Sequence, residues 1–236
     1  MASRRQFPQK NPRKNNAVRQ ARRQVAPPRV GWSPRARRLQ FGAHNVVAPF
    51  SPPEDWHEPR EGGHDYRIIV QSPGDGYRHI VSPAQVRQRL DSVPEHFLQD
   101  LEVIQFSRMT RKKRSFPCYG MQWGASLYLY PLEESLAEIF YSPPRPEVIN
   151  ESKMFGGRWD QPETSVWRLS WSPEAIADFY LNNILLHELG HLLDERNSSY
   201  TDRERYADWF AIEYGYRPSG GRRARRPEVR RRHHGV

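Results

Sequence analysis

The sequence predicts an α+β domain carried between two basic tails. Three observations lead there. Strand-like runs fill the front half of the body, and two helical segments close it. Charge and proline are spread unevenly along the 236 residues. Residues 1–63 hold 13 Lys+Arg against 4 Asp+Glu, and residues 216–236 hold 8 Arg against 1 Glu. Residues 64–215 carry 16 basic and 22 acidic side chains. The chain is therefore a mildly acidic body with cationic ends, and its net charge of +10 describes the ends. Only 36% of residues are hydrophobic and 21 are Pro. A core must come from the body alone, and residues 1–63 and 216–236 read as disordered because they cannot bury enough surface to offset their ordering entropy.

Within the body each element has its own signal. Tyr66–Gln71 (YRIIVQ) reads as a strand. Ser82, Pro83 and Gln85 supply an N-cap, a first-turn proline and an N3 glutamine, which together open a helix. Pro94 starts a second short helix that ends near Leu101, and Glu102–Arg108 reads as a strand. Arg111–Arg114 reads as a basic turn. Ala125–Tyr130 and Thr164–Trp171 alternate polar and apolar residues, as half-buried strands do. Ser172-Pro173-Glu174 caps a long helix that runs to about Leu193. A polar loop follows, Thr201 opens a last helix to about Tyr214, and Gly215 reads as its stop.

The segment that carries chemistry is His187-Glu188-Leu189-Gly190-His191. On a helix, positions i and i+4 share a face, so both imidazoles reach one ion. Glu188 sits beside the open coordination position, where it can take a proton from water. In the last helix Glu204 and Asp208 repeat the i, i+4 spacing, and Ala207 and Ala211 on that face permit close approach. A hairpin of the two helices brings Glu204 to the histidines. Two His and one carboxylate leave one position for water, as in a catalytic zinc site. Two points stay open in the residues themselves. Thr201-x-x-Glu204 is also a capping box, which by itself accounts for Glu204, and Asp208 is the substitute ligand.

HELGH followed by ExxAD-x-x-A resembles the gluzincin metallopeptidases, especially the minigluzincin and ImmA/IrrE-like members. The likeness covers about residues 172–215 and, more loosely, the strands from 66. It implies a zincin-like domain, a small mixed sheet packed on an active-site helix and a glutamate helix. It also implies Zn²⁺ on His187, His191 and Glu204, with Glu188 as general base and Asp208 orienting a ligand histidine. The substrate would be an intracellular protein or peptide, held along an edge strand for which Ala125–Tyr130 is the candidate. No histidine in the body follows His191 to steady an oxyanion, which leaves the phenols of Tyr200, Tyr206 and Tyr214.

The single cysteine, Cys118, excludes an internal disulfide and a four-cysteine zinc site. With no apolar run long enough to span a bilayer, a cytoplasmic protein without a membrane partner is expected. The arginine-rich tails read equally as solubilising ends or as docking arms for nucleic acid or another polyanion. Two rival functions remain beside the peptidase. One is an inactive zincin-like domain that serves as a nucleic-acid-binding or scaffold module. The other is a closed structural zinc site.

Overall fold

The computed structural model describes residues 52–58, 65–115 and 118–220. Most of the two tails assigned from the sequence therefore lies outside the described residues. In chain order the elements begin with β1 (Arg67–Val70), β2 (Tyr77–Arg78), α1 (Pro83–Leu90), β3 (Val103–Phe106) and α2 (Arg111–Ser115). Next come β4 (Gly120–Trp123), β5 (Ser126–Leu129), β6 (Leu132–Glu133), β7 (Ala137–Phe140) and α3 (Pro146–Met154). The hairpin strands β8 (Arg158–Glu163) and β9 (Val166–Ser170) precede the helices α4 (Pro173–Phe179), α5 (Leu185–Leu193) and α6 (Tyr200–Ala211). A π-helical turn, Tyr180–Ile184, joins α4 to α5 without a break, and a second one, Ile212–Tyr216, extends α6. The protein is thus α+β.

The central sheet has the order β1-β3-β5-β4, with β1, β3 and β5 parallel and β4 antiparallel beside β5. A second sheet, β7-β9-β8, is wholly antiparallel, and β2 pairs with β6. Period-2 alternation sorts the side chains of β5. Leu127 and Leu129 join the main core with Ile184, Leu185 and Leu189 of the long helix, while Tyr128 and Tyr130 pack with Met121 and Trp123 in a second cluster. The core therefore sits between sheet and helices, and it fixes the segment that bears the HELGH motif from below.

Sequence and structure agree on α1. Ser82 Oγ accepts from the Gln85 amide and Gln85 Oε1 accepts from the Ser82 amide, at 3.2 and 2.8 Å, which closes the expected capping box. Val86 and Leu90 are completely buried, each burial contributing about 1.5–3 kcal/mol. From the same helix Arg89 donates to Asn182 Oδ1 (2.6 Å) and to the Tyr214 carbonyl, tying the two π turns together.

Several expectations are corrected. Pro94–Leu101 makes only the 3₁₀ turn Glu95–Phe97. The basic turn at 111–114 is the short helix α2, and its Lys113 is buried against the Tyr130 ring, 4.0 Å from the centroid. Gly215 does not stop the last helix. It lies inside the second π turn, where an added Cβ would fall 1.9 Å from the Asn182 carbonyl oxygen. Residues 52–58 pack on the domain, ahead of the boundary drawn at residues 63 and 64. Asp55 accepts from Gln71 Nε2 (2.7 Å), the Tyr128 hydroxyl donates to the Asp55 carbonyl (3.0 Å), and His57 meets Gln105 Oε1 (2.6 Å).

One half-buried acid links the two larger sheets. Glu138 of β7 accepts from the Tyr119 hydroxyl (2.7 Å) and Trp171 Nε1 (3.2 Å). Burial disfavours its anion and pushes its pKa from 4.5 up to about 7, although both donors pull the other way. Between those values the folded chain holds a proton that the unfolded chain has released, so stability falls as pH rises through that window. Glu138→Gln keeps both acceptor contacts and removes the titration. Urea unfolding should show the native protein losing about 2 kcal/mol more than the variant across this window, allowing for the partial exposure of Glu138.

Candidate metal centre

The His-Glu-His segment lies in α5, whose residues from Leu185 through His191 are all buried. The helix starts upstream at Ser172, whose hydroxyl accepts from the Ala175 amide at 3.1 Å. The π turn then carries the chain past the sheet, where the Tyr180 hydroxyl donates to the Tyr130 carbonyl (2.8 Å). His187 and His191 are one α-helical turn apart. Their rings stand nearly perpendicular, at 85°, with Nε2 atoms 3.0 Å apart.

Glu204 reaches them because α5 and α6 cross at van der Waals contact. A Cβ on Gly190 would lie 3.0 Å from Ala207 Cα, so the helices meet through two nearly bare backbones. Ala207 and Ala211 are buried on this face as the sequence suggested. Glu204 Oε2 lies 3.6 Å from His187 Nε2, and Oε1 lies 3.4 Å from His191 Nε2. The capping-box explanation of Glu204 falls away. Ser199, rather than Thr201, is the N-cap of α6, accepting from the Asp202 amide at 3.1 Å. Glu204 instead turns inward and is 4% exposed. Asp208 Oδ1 lies 3.1 Å from His187 Nδ1. That contact sets a carboxylate beside Nδ1 and leaves Nε2 on the side of Glu204.

Together His187, His191 and Glu204 form a buried group whose ligating atoms lie within 4.8 Å of one another and could hold a metal ion. Three electron-pair donors on two helices, each buried, are chemically suited to a cation. Compared with family models, curated proteins and solved structures, the chain matches none. The geometry therefore carries the functional argument.

Glu188, the proposed base, is 1% exposed and lies under the central sheet. The strand above it is β4, since an ideal Cβ on Gly120 would come within 3.1 Å of Glu188 Oε1. This corrects the edge-strand expectation: Ala125–Tyr130 contains β5, which is flanked on both sides, and β4 is the edge nearest the site. The four-residue run GMQW has too few apolar alternations to stand out in sequence.

Arg203 is a second residue that spacing does not reveal. Its guanidinium donates to the carbonyls of His191 (3.0 Å) and Asp194 (2.8 Å), so it satisfies the end of α5 while holding α6 against it. Of the three tyrosines considered for an oxyanion, Tyr200 stands four residues before Glu204, on the same helical face. Tyr206 and Tyr214 pack with Trp209 and Phe210 in an aromatic cluster instead. Trp209 itself is 48% exposed and does not belong to the core, whereas Trp171 stacks on Phe179 inside it.

Metal analysis of the purified chain after zinc refilling should give about one ion per protein, and none in His187→Ala. Asp208→Asn should retain the ion but weaken its affinity roughly 10–100-fold, as measured by competition with a chelator.

Proposed function

We propose that this chain is a zinc metallopeptidase of gluzincin type, with a zincin-like domain, that hydrolyses peptide bonds in an intracellular protein or peptide. The observation that carries the reading is how closely the donors converge: the two Nε2 atoms are 3.0 Å apart, Glu204 Oε2 lies 3.6 Å from that of His187, and Glu204 Oε1 lies 3.4 Å from that of His191. Zinc bonds of about 2.0–2.1 Å in tetrahedral array separate ligand atoms by about 3.3 Å, the middle of that set. The donor chemistry, two imidazoles and one carboxylate, also suits this ion. Further support comes from Glu188 beside the histidines and from β4, which ends the order of the central sheet among the described strands and passes over Glu188 at Gly120.

Zinc bound here would polarise the scissile carbonyl and acidify water. The remaining work falls to side chains and backbone. Glu188 takes a proton from the attacking water and returns it to the leaving amine. Asp208 holds the His187 ring in the tautomer that ligates. The outer edge of β4 offers amides and carbonyls to an extended substrate, which lies across Glu188 as an added strand. Burial of Glu188 and Glu204 keeps bulk water from competing for these groups.

The decisive comparison is wild type against Glu188→Gln, both zinc-loaded, with an unfolded protein such as casein. Equal zinc content with hydrolysis reduced at least about 100-fold is the expected result. A variant that cleaves at the wild-type rate sinks the proposal.

A further inference from the structure

A cavity of about 250 Å³ is bounded by α3, by the π turn ahead of α5 and by α6 with its π extension. Met154, Phe155, Ile212 and Tyr216 give it an apolar floor, and Glu147, Glu151 and Asp208 bring three carboxylates to its lining. Among the described residues no lysine, arginine or histidine lines it. Glu151 is steered by Asn183 Nδ2, which donates to its Oε1 at 2.9 Å. Asp208 is the carboxylate that faces His187 Nδ1, with its side chain 42% exposed. The volume is below the roughly 300–1,000 Å³ of small-molecule pockets and suits a single long side chain.

We infer that this cavity is the docking site of the chain's own arginine-rich segment 222–226. Two observations select that occupant. The first is charge and shape. An arginine lays an apolar stem and a flat guanidinium on aromatic and aliphatic surface, and its fork pairs with carboxylates at the rim. An apolar floor under three acids fits that side chain better than a lysine, whose compact charge stays hydrated. The second is where the described chain ends. Tyr216 is itself part of the lining, and the described residues end at Gly220. Arg222, Arg223, Arg225 and Arg226 follow at once. Arg217–Gly220 make a hydrogen-bonded turn beside the cavity, and the six steps from Gly220 to Arg226 reach about 20 Å when extended, enough to fold back on it. A tether this short supplies its own ligand at millimolar effective concentration, so even a weak contact is occupied. Arg217 does not compete for the site, because it pairs with Glu213 on its own helix.

The docked segment touches the carboxylate that orients a histidine of the metal centre. The tail and the centre are thereby joined through Asp208. A polyanion that captures the arginines withdraws them from this contact.

The test uses the full chain with Ala224→Lys, which keeps all four arginines and places one reactive amine among them. A water-soluble carbodiimide then couples amines to carboxylates in contact, and the links are mapped by mass spectrometry. Intramolecular links from 222–226 to Glu147, Glu151 or Asp208, lost at 1 M salt where the Debye length is about 3 Å, are expected. Links scattered over other surface acids, or none, overturn the inference. A second arm leaves segment 222–226 unaltered. Glu147→Gln/Glu151→Gln should bind heparin several-fold more tightly than Glu133→Gln/Glu134→Gln, which makes the same charge change elsewhere. Equal affinity in the two variants also overturns it. Neither arm needs metal or hydrolysis, so failure here leaves the peptidase proposal standing, and the reverse holds too.

Discussion

The close crossing of α5 and α6 is the constraint on which the candidate site depends. Glu204 comes from a different helix than the histidines, and its carboxylate must arrive within a few tenths of an ångström. Gly190 against Ala207 allows the two backbones to touch, so the crossing point has almost no side-chain freedom. His187 lies three positions before Gly190 and His191 one after it, and Glu204 lies three before Ala207, so the ligating groups inherit that rigidity. A bulkier pair at the crossing would lift Glu204 away without altering any ligand.

Polar groups then stabilise what packing positions. Bringing two imidazoles and two carboxylates into the interior costs several kcal/mol per ionised group unless each finds a partner. Asp208 serves His187, and Arg203 serves the end of α5. Ser199 caps α6 and so releases Glu204 from the backbone. The surrounding leucines, Leu185, Leu186 and Leu189, carry the hydrophobic burial that offsets this polar interior. Strand β4 completes the enclosure at Gly120, where the sheet comes close enough to face Glu188.

What the sequence disclosed was local. The His187/His191 spacing, the caps at Ser82 and Ser172 and the small-residue face at Ala207 and Ala211 all depend on neighbours within four residues. These features recur in the structure. Glu204 was legible as a candidate but ambiguous, because a capping box and an inward carboxylate share one pattern until the real N-cap, Ser199, is known. The edge strand was misplaced for a different reason. Pairing order is a long-range property: the alternation of Ala125–Tyr130 marks a strand but not its number of neighbours, and β4 and β5 are both buried throughout. Helix α3 had a signal in Pro146 at its first turn, but its apolar face is narrow. The docking of residues 52–58 had none, since it rests on single polar contacts from Asp55 and His57 to distant Gln71 and Gln105.

The π turn at Tyr180–Ile184 has one more consequence. An α-helix advances 100° per residue, and a π turn takes up one additional residue without breaking the rod. Upstream, Ile176, Phe179 and Tyr180 anchor the helix in the core; downstream, His187 and His191 face Glu204. The turn therefore sets the angular phase between an anchoring half and a ligating half. Loss of any one residue from YLNNI would leave the motif spelled correctly and aimed about a quarter-turn away, a frameshift in direction rather than in reading.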